Sequence, residues 1–258
     1  RKLEILFLNK KILKIIIKLE KYTFLFSEKL LKLLESFHLE SEKYKLDYSI
    51  DSGTLLGAIR HDDIIPWDDD VDVLVVNTPK NIKALTKIFR SLKQLGIESI
   101  KNYFGFKLFL KDGKIISKNP WIEHVREFKK KNPDVKGRAN ISKKASKTYK
   151  KSNKKMTYKY TYPYLDIFIV DIRNNRTHFK QNKWDKCFHK VEHLYPLKSY
   201  KFNRLKVKGP SKPLPYLDSC YGSKWDKDAY KEYDHSSEKM VSKTKYTLKK
   251  KDVRKKYK

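Results

Sequence analysis

The feature that most constrains the fold of this chain is an acidic run that becomes a valine-rich strand. Six aspartates lie between residues 62 and 72, and carboxylates alternate with valine from residue 68 onward. A period of two, with β-branched residues, predicts a β-strand over residues 68–76. Residues two apart on a strand share a face, so Asp69 is expected to face away from its neighbours. The residues expected to project together are Asp68, Asp70 and Asp72.

Carboxylates concentrated at one place indicate a cation site. Like charges held together are costly unless a cation or protons neutralise them. Three carboxylates on one face suit Mg²⁺ or Mn²⁺, which are hard cations that take oxygen ligands. The alternative is a solvated acidic turn after the corner formed by Pro66 and Trp67, but the β-branched residues on both sides favour a strand.

A glycine and a threonine about fifteen residues upstream predict a phosphate-binding turn. An extended stretch over residues 46–50 leads into the sequence Asp-Ser-Gly-Thr and then into a short helix. Gly53 permits close backbone approach, and helix N-terminal amides with the Thr54 hydroxyl beside them suit phosphate. Gly-Thr at a helix start, followed by Asp-x-Asp on the next strand, is the plan of the nucleotidyltransferase fold.

That plan needs a third carboxylate on a neighbouring strand. The strand predicted over residues 164–172 holds Asp166 among apolar residues, where an acidic side chain is costly unless it is paired or metal-bound. Asp171 is the alternative, although it also fits a residue at the end of the strand. We therefore predict Asp166 as a further metal ligand.

The remaining elements complete an α+β prediction. Helices are predicted over residues 27–44, 79–95 and 178–194, from apolar spacing, capping residues and prolines at helix starts. Residues 104–110 and the vicinity of Ile115 are predicted as two strands of a hairpin joined by a turn at 111–114. The expected fold is a nucleotidyltransferase-type mixed β-sheet flanked by helices, with a Lys-rich insertion.

The charge of the chain initially suggests a nucleic-acid-binding protein. Lys and Arg number 61 against 30 Asp and Glu, which gives a formal charge of +31. Only nine of these bases are Arg, the residue that recognises phosphates and bases bidentately. Residues 1–21, 129–159 and 243–258 carry +25 of that charge. The basic character is therefore peripheral, and a nucleic-acid partner is not favoured, whereas peripheral contact with a membrane stays open.

The same charge pattern divides the chain. We expect an N-terminal helical segment over residues 1–45, a catalytic domain over 46–240 and a basic tail over 241–258. Residues 129–159 are expected to form a flexible insertion within the domain. Lysines interrupt the N-terminal apolar run, so no stretch reaches the ~20 residues of a membrane span. The compartment stays open between the cytoplasm and the secretory-pathway lumen.

Two cysteines leave a single disulfide open. They also leave open a zinc site, although the spacing of its residues equally suits helix packing. The residues of that zinc alternative are Cys187, His189, His193 and Cys220.

Two blocks of sequence resemble the signature of the LicD/fukutin-related family of phosphotransferases. They are Ser52-Gly-Thr-Leu-Leu-Gly-Ala-Ile-Arg-His61 and Ile65-Pro-Trp-Asp-Asp-Asp-Val-Asp-Val73, with looser similarity over residues 162–171 and 195–235. The resemblance implies transfer of a phospho-alcohol or sugar-phosphate unit, such as phosphocholine or ribitol phosphate, to a glycan hydroxyl. It implies a CDP-alcohol or NDP-sugar as donor, and Mg²⁺ or Mn²⁺ as cofactor.

The resemblance also implies roles for individual residues. Asp70, Asp72 and Asp166 match catalytic metal ligands, with Asp68 a further ligand. The residues that match donor binding are Gly53 and Thr54 at the phosphate turn, Arg60 at a donor phosphate, and His61 at phosphate or in local structure. Two other functions stay open: nucleotidyl transfer from an NTP on the same fold, and non-catalytic binding of a polyanion through the basic segments.

Overall fold

The computed structural model describes residues 26–117, 158–179, 186–234 and 239–247, with short stretches between residues 125 and 144. Helix α1 spans residues 26–43, and further helices are α2 (Ser52–His61), α3 (Pro79–Gln94), α4 (Val191–Leu194) and α5 (Pro213–Tyr221). The strands are β1 (Tyr48–Ile50), β2 (Val71–Val76), β3 (Ile97–Lys101), β4 (Gly105–Ser117), β5 (Tyr158–Arg173), β6 (Arg176–Phe179), β7 (Lys198–Phe202), β8 (Leu205–Gly209), β9 (Asp228–Asp234) and β10 (Lys239–Thr247).

The central sheet is mixed. Its order is β1-β2-β5-β4-β3, and β6 pairs with the end of β5. Strands β2 and β5 are parallel, whereas the other neighbours in this sheet are antiparallel. Two antiparallel pairs, β7 with β8 and β9 with β10, stand apart from it. The predicted α+β class, with a mixed sheet flanked by helices, is confirmed.

The main core covers one face of this sheet. Odd-numbered residues of β2 and β5 share one buried cluster with leucines of α1 and α3; among them are Val71, Val73, Val75, Leu165, Ile167, Ile169, Leu30, Leu34, Leu85 and Leu92. Because side chains alternate along a strand, the even-numbered residues Asp72 and Asp166 lie on the opposite face. The apolar pattern that builds the core therefore also decides where these two carboxylates project.

Two predicted helices occur nearly as expected. Helix α1 covers residues 26–43 against the predicted 27–44. Helix α3 begins with Thr78 Oγ1 accepting the Asn81 N–H and with Pro79 in its first turn. It ends at Gln94, before Gly96, whose φ of 76° is a left-handed conformation that glycine adopts freely.

The hairpin predicted around residues 111–114 is wrong. Strand β4 runs straight through them and pairs with β5 on both sides of an irregularity between Phe109 and Lys114. Because β5 is 16 residues long, it supplies hydrogen-bonding partners to both halves of β4. A Cβ on Gly113 would lie 2.6 Å from the Tyr162 carbonyl oxygen, so the glycine marks a bulge against β5 rather than a reversal.

The helix predicted over residues 178–194 is also wrong. Asn174 and Asn175 have φ of 48° and 59° and form the tight turn that returns the chain as β6 against β5. Within the described part of that range only α4 is helical. The turn at the two asparagines therefore decides the local structure, despite the helix-like spacing of apolar residues that follows it.

Several predictions lie outside the described residues. They concern residues 1–25, most of the Lys-rich segment 129–159, and residues 248–258 of the basic tail. Across the part of the chain that the structure describes, no helix combines the length and apolar character needed to cross a membrane.

Candidate metal centre

A short unit of strand, helix and strand builds the centre. The Asp51 N–H donates to the Asp72 carbonyl (3.1 Å), and the Asp72 N–H donates to Thr54 Oγ1 (2.8 Å). Thr54 is buried in the first turn of α2, so these bonds tie the helix start directly to β2. The predicted phosphate turn and the predicted metal strand are therefore neighbours in space.

Three buried carboxylates form the inner group of the centre. The parallel register of β2 and β5 pairs Asp72 with Asp166, and Asp70 precedes β2 by one residue. One carboxylate oxygen from each of the three lies within 4.8 Å of the other two. Such a set of oxygen donors fits Mg²⁺ or Mn²⁺, and it matches the three residues predicted from the sequence.

An outer group adjoins the inner one, and here one expectation is wrong. The strand begins at Val71, and the Asp68 N–H donates to the Ile65 carbonyl (2.8 Å) across a turn at residues 66–67. Residues 68–70 are thus a loop, and strand alternation does not apply to them. Asp69 does not face away: its carboxylate joins those of Asp68 and Asp70 within 4.8 Å, and Tyr162 Oη donates to it (3.2 Å).

The electrostatics of the inner group favour a bound cation. Burial raises the pKa of Asp72 well above its ordinary value, and the charges of neighbouring carboxylates raise it further. Those neighbours are Asp70, Asp166, Asp68 and Asp51. A proton or a divalent cation among these carboxylates would offset the repulsion that raises the pKa.

Gly53 makes the close approach of Asp68 feasible. A Cβ at this position would lie 2.6 Å from Asp68 Oδ2, so any side chain would push that carboxylate away from the centre. Gly53 therefore has a role in shaping the carboxylate cluster, while its role in holding donor phosphate stays a prediction.

Replacing Thr54 by Val is expected to destabilise the protein by about 1–3 kcal/mol, because the buried Asp72 N–H loses its acceptor. Thr54→Ser keeps a hydroxyl and serves as the matched control. Urea denaturation of both variants checks this, and equal stability of the Val and Ser variants would show that the bond contributes nothing.

Arg60 and His61 lie beside the centre, and both side chains have hydrogen-bonding partners within the protein. Arg60 is 3% exposed; its Nε donates to His61 Nε2 (2.9 Å) and its Nη1 to the Trp225 carbonyl (3.0 Å). Burial lowers the pKa of Arg60 to about 10, against the opposing charges of Tyr221 and Asp68, so the guanidinium stays protonated at neutral pH. Both residues thus have structural partners, and their contact with donor phosphate stays a prediction.

Sequence reasoning missed Lys107. Its Nζ donates to both carboxylate oxygens of Asp166, at 2.7 and 2.8 Å, and the pair is buried. The available signal was a single lysine inside the apolar strand predicted over residues 104–110, but one lysine is inconspicuous among 61 bases.

Sequence reasoning also missed a buried network behind the helix start. His189 Nε2 lies 2.7 Å from Asp51 Oδ1, and Tyr216 Oη donates to Asp51 Oδ2 (2.9 Å). The His189 ring stacks on the Tyr216 ring, with centroids 4.0 Å apart. Ser52 Oγ also donates to Asp51 Oδ2, so three side chains hold the residue that precedes α2.

Neither alternative ligand set is assembled. Cys187 and Cys220 form a disulfide, and His189 is engaged with Asp51, so the four residues of the zinc alternative do not converge. Asp171 accepts from Asn77 Nδ2 (2.8 Å) and Arg173 Nη2 (3.3 Å) near the end of β5, which fits a structural residue. Asp166, rather than Asp171, joins the carboxylate cluster.

Comparisons with known proteins agree with this geometry. Residues 45–115 match the family model described as LicD/FKTN/FKRP, nucleotidyltransferase domain. Over 43 residues the chain is 58% identical to the lipopolysaccharide cholinephosphotransferase LicD of Haemophilus influenzae, which covers 17% of this chain and 16% of that protein.

Longer matches are to proteins without an assigned activity. The chain is 29% identical over 211 residues to an uncharacterised protein of Rickettsia prowazekii, covering 80% of this chain and 59% of that protein. It is 28% identical over 208 residues to an uncharacterised protein of Rickettsia typhi, covering 80% and 50%. The chain therefore spans about half the length of these two relatives.

Proposed function

We propose that this chain is a metal-dependent phosphotransferase of the LicD family, because residues 45–115 match that family's nucleotidyltransferase-domain model and a 43-residue stretch is 58% identical to a LicD cholinephosphotransferase. It moves a phospho-alcohol or sugar-phosphate unit from a nucleotide-diphosphate donor, a CDP-alcohol or an NDP-sugar, to a glycan hydroxyl. The observation that carries the proposal is the inner group: the carboxylates of Asp70, Asp72 and Asp166 converge within 4.8 Å at a buried position beside the start of α2.

The chain's own residues suit an in-line displacement. Asp70 and Asp72, with Asp166 and Asp68 beside them, would hold Mg²⁺ or Mn²⁺. The bound cation would polarise the phosphoryl group and offset its charge. The N-terminal amides of α2, near Gly53 and Thr54, orient a donor phosphate.

The proposed transfer step balances as follows. The acceptor hydroxyl oxygen forms a bond to the phosphorus of the transferred unit, and the anhydride P–O bond breaks. The nucleoside monophosphate leaves with the bonding electron pair. A carboxylate of the cluster takes the hydroxyl proton.

Phosphocholine is the first unit to test. The Haemophilus influenzae relative is named for cholinephosphate transfer to lipopolysaccharide, but its identity with this chain covers only 43 residues. Donor base, alcohol and acceptor depend on pocket shape outside that stretch, so ribitol phosphate and sugar phosphates belong in the same test.

Nucleotidyl transfer from an NTP is the second candidate. The matched family model is described as a nucleotidyltransferase domain, and this description supports nucleotidyl transfer as the second candidate. The two reactions differ in the fate of the nucleotide: it is released as a monophosphate in the first and becomes attached to the acceptor in the second.

A thermal-shift screen with Mn²⁺ tests the proposal. CDP-choline, CDP-ribitol, GDP-sugars and NTPs are compared at equal concentration. A true donor at a hundred times its dissociation constant is expected to stabilise the protein by about 2.7 kcal/mol. If NTPs alone stabilise it, nucleotidyl transfer replaces the proposal, and if no nucleotide does so in the presence of Mn²⁺, both enzymatic functions are contradicted.

A further inference from the structure

Lys107 places a buried ammonium group against the proposed cation site. The residue is 4% exposed on β4, and both oxygens of Asp166 accept hydrogen bonds from its Nζ. Burial of a charged pair is costly, and removal of either member leaves the other uncompensated. Loss of Lys107 would therefore leave the Asp166 carboxylate without the charge that compensates it.

Three aromatic rings also lie close to the ammonium group. Its Nζ lies 3.3 Å from the centroid of the Tyr164 ring, 5.2 Å from that of Tyr160 and 5.4 Å from that of Phe104. Ring faces attract a cation electrostatically, and they replace the water that the buried ammonium has lost. The cation–π contacts and the Asp166 carboxylate together fix the position of Nζ.

Strand register aligns the ammonium with the cluster. Asp166 pairs with Lys107 of β4 on one side and with Asp72 of β2 on the other, so the three side chains form one row across three strands. The Asp166 carboxylate lies between a built-in cation and the carboxylates that would bind a divalent cation. The same carboxylate would therefore bind both the Lys107 ammonium and the divalent cation.

We propose that Lys107 is a positioning residue that anchors Asp166 and lowers the affinity of the cluster for divalent cations. This inference rests on the proposed metal-dependent function. The ammonium neutralises part of the negative charge that attracts the metal ion, and it engages both oxygens of one ligand. A moderate affinity suits a site in which part of the coordination comes from donor phosphates that arrive and leave.

The prediction is that loss of Lys107 tightens metal binding. Lys107→Met removes the competing charge, and Mn²⁺ affinity is expected to rise about tenfold or more, as measured by calorimetric titration of the metal-free full chain. A merely structural role predicts the reverse, because a disturbed Asp166 would bind the cation less well. Mn²⁺ should also raise the melting temperature of the variant more than that of the wild type.

Lys111→Met is the matched control. Lys111 lies on the same strand, but its Nζ pairs with Glu98 at the surface, 3.1 Å away, with 66% of its side chain exposed. Its replacement is expected to leave Mn²⁺ affinity unchanged. An equal rise in both variants would mean that the effect comes from overall charge.

A second pair of variants decides the question if Lys107→Met does not fold. Asp166→Asn keeps the ammonium, whereas the double variant Lys107→Met/Asp166→Asn lacks both charges of the buried pair. The double variant should bind Mn²⁺ about tenfold more tightly than Asp166→Asn, and equal affinity overturns the inference. A wild-type protein that binds no Mn²⁺ contradicts the proposed function as well, whereas wild-type binding without any effect of Lys107 contradicts this inference alone.

Discussion

Replacement of Asp72 by Asn is expected to abolish transfer while it stabilises the metal-free protein. Asp72 is the inner carboxylate whose partners lie on β5 and just ahead of β2. Loss of several kcal/mol of metal-mediated stabilisation in the transition state corresponds to a fall in kcat of about a thousandfold or more. The gain in stability follows because the amide removes a buried charge that repels its neighbours.

The stability gain depends on pH with a definite sign. In the metal-free protein the pKa of Asp72 lies above its unfolded value of 3.8, so the folded state binds this proton more tightly. The contribution of Asp72 to the free energy of unfolding therefore falls as pH rises from 3.8 through the raised pKa. Urea denaturation of wild type and Asp72→Asn should show a difference that grows with pH across this window.

Asp171→Asn is the control for both effects. Asp171 lies on β5 as Asp166 does, but it bonds Asn77 and Arg173 outside the cluster. Its replacement should leave Mn²⁺-dependent turnover intact. If Asp72→Asn retained full turnover, or lowered the stability of the metal-free protein at every pH, the carboxylate cluster would not be a cation site.

Replacement of His189 by Ala is expected to cost about 3–5 kcal/mol of stability, because it removes a buried hydrogen bond and leaves a cavity the size of the ring. The ring is fully buried against Asp51 and stacked on Tyr216. Its removal leaves the Asp51 carboxylate without one of its partners and opens a cavity beside α2. Chemical denaturation of the metal-free protein measures the loss.

His193→Ala is the matched control, because His193 lies four residues further on and is only partly buried in α4. It should change stability by less than about 0.5 kcal/mol. A His189→Ala variant as stable as the control would show that the Asp51 contact is incidental. Because Asp51 directly precedes α2, the destabilised variant should also bind Mn²⁺-donor complexes more weakly.

The residues of the site that the sequence predicts are those whose positions follow from the pattern of their neighbours along the chain. Alternating valines locate β2, and the apolar run around Asp166 locates β5. A strand that is buried on both faces can be recognised from its own apolar sequence, without knowledge of its partners. From these two strands follow the positions of Asp72 and Asp166. The expectation for Asp69 is wrong because a turn at residues 66–67 delays the start of the strand to Val71, three residues after the start that the alternation predicts.

The residues that hold the site's carboxylates in place make contacts between positions far apart in the sequence. Lys107 is 59 residues from Asp166, and His189 is 138 residues from Asp51. Strand order decides the first contact, since β4 could have paired elsewhere in the sheet. Packing of α5 and the segment before α4 decides the second. Neither follows from residue type or spacing, because lysine is usually exposed and histidine is intermediate in burial.

The distribution of positive charge along the sequence sharpens the interpretation of the site. Residues 1–21, 129–159 and 243–258 hold +25 of the +31, whereas the structure assembles buried carboxylates in the sheet. A polyanion-binding protein would have no physical reason to concentrate repelling carboxylates at one buried place. The basic segments suit long-range attraction of an anionic donor or acceptor, which falls with ionic strength.

The fate of a doubly labelled donor tests the central claim most directly. The donor that gives the largest thermal shift is labelled separately in its nucleotide and in its alcohol or sugar, then incubated with Mn²⁺ and a glycan acceptor. If the protein is a phosphotransferase, the alcohol or sugar label reaches the acceptor with its phosphate, and labelled nucleoside monophosphate is released. EDTA and Asp72→Asn should both stop this transfer. Nucleotide label on the acceptor, or transfer that survives both treatments, would contradict the account.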